Sequence, residues 1–98
     1  MAAFSELINK DIPVLVDFHA TWCGPCKMME PVIKELKGKF GDKLSVIKID
    51  IDKNQELAGK LGVRGVPTFI LYKEGKLVWR ASGARPIHEL ESAVNSSL

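Results

Sequence analysis

The sequence predicts a three-layer α/β fold: a mixed central sheet of four strands, or five if the first residues supply a stub, with helices on both faces. Three observations lead there. A β-branched apolar run, Val14 to His19, is followed by a long helical pattern from Pro25 to about Phe40. A second Val- and Ile-rich run covers Leu44 to Ile51, so a helical crossover joins the first two strands. Two more runs, Thr68 to Tyr72 and Lys76 to Ala81, flank Lys73-Glu74-Gly75, a hairpin signal with glycine in the turn.

Each element has its own warrant. Phe4 to Lys10 is short and amphipathic through Phe4, Leu7 and Ile8, and reads as a first helix. Val14 to His19 is apolar except at Asp17 and the terminal His19, and reads as a strand buried on both faces. From Pro25, apolar residues at Met29, Val32, Ile33, Leu36 and Phe40 recur at helical steps, with Pro31 expected to kink the helix. Met28 and Met29 both read as helix packing, and Gly41-Asp42 as a turn. Asp52, with Gln55 three residues on, suggests a capping box for a short helix that stops at Gly62. Trp79 packs in the hairpin, and Pro86 opens a last helix with Ile87, Leu90, Ala93 and Val94 on one face. No repeat, linker or low-complexity stretch interrupts residues 1–98, which read as a single domain.

Composition narrows the classes. The 46% apolar and 27% charged fractions are ordinary for a globular chain, and the formal net charge is only +2. Basic residues are scattered, so neither a nucleic-acid arm nor a membrane-binding patch is expected. No apolar segment approaches the roughly 20 residues of a membrane span. The first residues show neither a basic region nor a long apolar stretch, so no secretory signal is expected and the cytoplasm is the expected address.

Chemistry concentrates in Trp22-Cys23-Gly24-Pro25-Cys26-Lys27, which holds the only two cysteines at the junction of strand and helix. A pair at this spacing can close a small-ring disulfide and reopen it as a dithiol. If the helix starts at Cys23, unpaired backbone N–H groups and the positive dipole end favour the Cys23 thiolate. Gly24 and Pro25 fit the tight first turn, because proline lacks only an N–H that is unpaired there. A static disulfide closing so small a ring would stabilise little. Cys23, Cys26, His19 and His88 have no familiar metal-site spacing, so no metal is expected.

Val14-Leu15-Val16-Asp17-Phe18, the Trp22 to Lys27 motif, Pro31, Gly65-Val66-Pro67-Thr68 and Lys73-Glu74-Gly75 occur in an order and at spacings that resemble the thioredoxin family. The resemblance covers nearly the whole chain and implies a thioredoxin-like fold. It departs in two places. Only 16 residues precede Asp17, too few for the family's usual first strand, so four strands are favoured. His19 stands where the family typically carries tryptophan.

The resemblance implies a thiol–disulfide oxidoreductase that reduces protein disulfides. Cys23 would be the exposed nucleophile and Cys26 the resolving thiol. Asp17 would be a carboxyl of raised pKa beneath the pair, taking the Cys26 proton. Lys48 resembles the lysine that partners this aspartate, and a solvated strand-edge lysine is the rival reading. His19 either fills the tryptophan's space or titrates together with Asp17 and Cys23. A cis peptide before Pro67 would leave the Val66 backbone free for an extended substrate. Trp22, Gly24, Pro25, Gly65, Val66, Gly83 and Ala84 would form a flat, mildly apolar docking surface. Pro25 directly before Cys26 resembles reducing members, since oxidases and isomerases place histidine there. No cofactor beyond the Cys23–Cys26 couple is expected; a thioredoxin reductase would supply electrons to a monomer. The rival class is a binding module whose cysteines are incidental.

Overall fold

The computed structural model describes residues 3–98. Its elements are α1 (Phe4–Leu7), β1 (Val14–His19), α2 (Gly24–Phe40), a 3-10 turn (Gly41–Lys43), β2 (Ser45–Asp50), α3 (Gln55–Lys60), β3 (Thr68–Lys73), β4 (Lys76–Ser82) and α4 (Ile87–Ser97). The sheet order is β2-β1-β3-β4, with β1 parallel to β2 and the other pairs antiparallel. The described residues thus form the favoured four-stranded mixed sheet. Part of the proposed N-terminal stub, Met1 and Ala2, lies outside them.

Period-two alternation along β1 builds two cores. Leu15 faces Met29, Ile33 and Leu36 of α2 and Leu90 and Val94 of α4, with Phe69 and Leu71 from β3. Val14, Val16 and Phe18 face the other way, onto Ile8, Ala58, Val63 and Ile70. Trp79 packs from β4 against the first core. Only one of the adjacent methionines can face the sheet. Met29 does, whereas Met28 is exposed, contrary to the packing role expected for both.

Two boundaries differ from expectation for tertiary reasons. α1 stops at Leu7 rather than Lys10 because the hairpin turn takes the next carbonyls. Glu74 N donates to Lys10 O at 2.8 Å, and Gly75 N to Ile8 O at 3.2 Å. Pro13 further disfavours helical backbone at the residue before it. The hairpin turn itself is Glu74-Gly75, both at positive φ (53° and 80°), the geometry of a two-residue loop whose twist matches its strands. The capping box at Asp52 is not formed. Asn54 is the N-cap of α3, and Asp50 Oδ1 instead accepts from Asp52 N at 2.8 Å and Lys53 N at 3.4 Å. α3 still ends before Gly62, at φ +66°. α2 runs through Pro31 as one helix.

Candidate active site

β1 and β2 run parallel and end at the same edge of the sheet, where Ile51 N donates to His19 O at 2.9 Å. The chain leaving β1 turns through Cys23 N to Ala20 O and enters α2 with Cys23 as N-cap. Cys26 N donates to Cys23 Sγ at 3.1 Å, so the sulfur occupies the position of a capping oxygen. Pro25 sits in the first turn, where its missing N–H costs nothing. The cysteines form a disulfide with Cα atoms 5.3 Å apart.

Cys23 was expected to be the exposed sulfur. As a disulfide both residues are covered, Cys23 at 4% and Cys26 at 7% exposure, so accessibility does not separate them. Their surroundings do. Beside Cys23, Trp22 is 67% exposed. Its indole Nε1–H donates to Asp52 Oδ2 at 2.8 Å, which anchors the ring at the rim. Cys26 instead lines an inner cavity of about 240 Å³ together with Asp17, His19, Lys27, Glu30 and Lys48. A wider groove of about 870 Å³, beside α2 and β2, holds neither sulfur, although Glu30 and Lys48 line it as well.

Asp17 is buried, at 5% exposure, in the middle of β1. Burial, which disfavours the charged form, pushes its carboxyl above the usual carboxylate range; the nearby charges of His19 and Lys48 oppose this and Glu30 adds to it. Lys48 lies directly opposite Asp17 across the β1–β2 ladder and is exposed; His19, two residues on, is half-buried.

The third wall comes from the loop before β3. The Val66–Pro67 peptide is cis. Val66 packs on the cluster of Ala20, Cys23 and Cys26. Neither backbone group of Val66 is hydrogen-bonded among the described residues. Gly83, at φ +88°, donates its N–H to Pro67 O at 2.8 Å, which fixes the loop after β4 against the cis proline. Gly24, Gly65 and Ala84 are exposed around this rim. His88 lies apart on α4, and among the described residues no three His, Cys, Asp or Glu side chains are placed so that they could hold a metal ion.

Two participants were missed from sequence. Asp52 was read as a helix cap but holds Trp22. Glu30 drew no reading from the sequence, although its place four residues after Cys26 puts it one turn on along the same stripe.

The thioredoxin family model matches residues 1–96. The thioredoxin of Bacillus subtilis (strain 168) is 51% identical over 85 residues, covering 87% of this chain and 82% of its own. Thioredoxin from Haemophilus influenzae (strain ATCC 51907 / DSM 11121 / KW20 / Rd) is 43% identical over 94 residues, covering 96% of this chain and 88% of its own. Chloroplastic thioredoxin Y of Oryza sativa subsp. japonica is 45% identical over 98 residues; the chain spans 58% of that protein's length. Among solved structures, oxidised mitochondrial thioredoxin 3 from Saccharomyces cerevisiae superposes with a TM-score of 0.86 at 35% identity, over 95% of this chain and 86% of that one. A family model that spans residues 1–96, together with relatives 43% and 51% identical over most of their length, shows that the chain belongs to the thioredoxin family.

Proposed function

We propose that this chain works as a dithiol reductant of protein disulfides, the thiol–disulfide oxidoreductase chemistry of its family. The observation that carries the reading is the asymmetry of the two sulfurs. Cys23 Sγ caps α2 and accepts the Cys26 amide, whereas Cys26 backs onto the cavity that contains Asp17.

In the reduced protein, helix-end N–H groups stabilise the Cys23 thiolate. That thiolate attacks one substrate sulfur, forming the Cys23–substrate bond as the substrate disulfide breaks and its other sulfur leaves as a thiolate. Asp17 takes the Cys26 thiol proton. Cys26 Sγ then bonds to Cys23 Sγ, and the substrate leaves with the electron pair of the broken bond. The substrate gains two electrons, and the chain ends as the disulfide.

Substrate would lie across Trp22, Gly24, Pro25, Val66, Pro67 and Gly83 as an extended segment. The unpaired Val66 backbone and the apolar, half-buried Val66 side chain support this. Lys48 and His19 would pull the Asp17 proton off through their charge. Pro25 before Cys26 supports a reducing poise, and a potential in the isomerase range would overturn it. The Cys23–Cys26 couple carries the electrons in this reading, with no separate cofactor. A thioredoxin reductase returning the electrons, a monomeric state and a cytoplasmic address complete the proposal; reductase-coupled turnover, sedimentation and fractionation test them in turn.

The deciding assay is insulin reduction followed by turbidity with dithiothreitol. The wild-type chain should accelerate precipitation, and Cys23→Ser should fall to the rate of dithiothreitol alone. A fully active Cys23→Ser would instead favour a binding module.

A further inference from the structure

The cavity behind Cys26 holds more charge than a single proton acceptor requires. Asp17 and His19 enter from β1, Lys48 from β2, and Lys27 and Glu30 from α2. Asp50, opposite His19 on β2, accepts the Asp52 and Lys53 amides. The β3 residue opposite Asp17 is Phe69, so that side contributes no charge. Asp17 thus meets two basic side chains, His19 and Lys48, on the sheet, and a second carboxylate, Glu30, on the helix.

Glu30 is exposed, and it lines both the inner cavity and the wider groove beside β2. It therefore stands where the space around Asp17 meets water. A base that must take a thiol proton needs enough proton affinity for the transfer, yet must release the proton before the next cycle. Basic neighbours alone would hold Asp17 ionised and weaken it as a base. A carboxylate beside it offsets them.

We infer that Glu30 is a positioning residue for the resolving step, acting through Asp17 by keeping that carboxyl basic in the presence of Lys48 and His19. The inference rests on the reductase reading for its use in turnover. In that step the Cys26 Sγ–H proton moves to an Asp17 oxygen and the Cys26–Cys23 bond forms. The Cys23–substrate bond breaks with its electron pair on the substrate sulfur, and Asp17 then returns the proton to water at the Glu30 end of the cavity.

The test is a carbon-13 NMR titration of the Asp17 carboxyl in the oxidised protein for wild type, Glu30→Gln and Glu30→Lys. The midpoint should be highest in wild type, lower in Glu30→Gln and lowest in Glu30→Lys. In Glu30→Gln, the pH–rate profile for release of a mixed disulfide from Cys23 should move to acid in step. Its alkaline plateau should fall about twofold to fivefold, as expected for a weaker base. A common midpoint in all three proteins overturns the inference. So does a loss of rate at every pH with no movement of the profile, which marks a structural role. The titration needs no turnover, so an inactive wild type would strike the reductase reading and leave the Asp17 midpoints to decide the role of Glu30.

Discussion

The two faces of β1 differ in kind. Toward α1 and α3 the strand presents Val14, Val16 and Phe18, all fully buried among apolar neighbours. Toward α2 it presents Leu15, then Asp17, then His19, passing from closed core to a polar cavity within one strand. Alternation of side chains therefore gives one face only apolar packing and sets titratable groups at the end of the other. Each can be disturbed with limited cost to its opposite.

The largest effect should come from the apolar face. Phe18→Ala should destabilise the chain by about 3–5 kcal/mol in urea unfolding, through lost burial and the cavity it leaves. The potential of the Cys23–Cys26 couple should stay put; a shifted potential would show that the faces are coupled.

On the polar face, Asp17→Asn should slow release of the mixed disulfide by on the order of 10²-fold, the lower range for loss of a general base. Stability should move the opposite way. The Asp17 carboxyl is held above its unfolded value by burial, so the folded wild type binds the proton more tightly. Its stability is fully present below the unfolded carboxylate range and falls as pH rises through the folded titration. Asp17→Asn escapes that loss and should be roughly 1–3 kcal/mol more stable at alkaline pH, with the gain vanishing in acid. Urea midpoints measured across pH check this, and a constant difference would remove Asp17 as the source.

The smallest effect belongs to His19→Trp. The charge of His19 favours the Asp17 carboxylate, so its removal should shift the Asp17 titration slightly to higher pH. Overlapping pH–rate profiles would leave His19 as filler beside the cavity and end its part in the proton chemistry.

Strands and the long helix were legible because their signals are local. β-branched runs, helical spacing and Glu74-Gly75 act within a few residues of themselves. Asp17 was legible too, since a charge inside an apolar run must be accounted for. Features that depend on partners distant in sequence were hidden. α1 is cut short by a turn more than 60 residues away, and Asp52 is drawn from its expected cap to the Trp22 indole across 30 residues. Glu30 was invisible for another reason. A glutamate on an amphipathic helix has the pattern of solvated surface, and only the packing of α2 on the sheet brings it to Asp17. Met28 failed similarly: neighbours on a helix point about 100° apart, so one core cannot take both methionines.

Among the described residues β2 has a neighbour, β1, on one side only. Its other margin is a sheet edge on a strand that carries Val46, Ile47 and Ile49, and such an edge is the kind that templates stacking between molecules. Lys48 interrupts that row with a charge in mid-strand. A charge at that position works against edge-to-edge pairing on general grounds. Trading it for an apolar residue would carry a colloidal penalty, visible as turbidity on concentration, in addition to any change in proton handling.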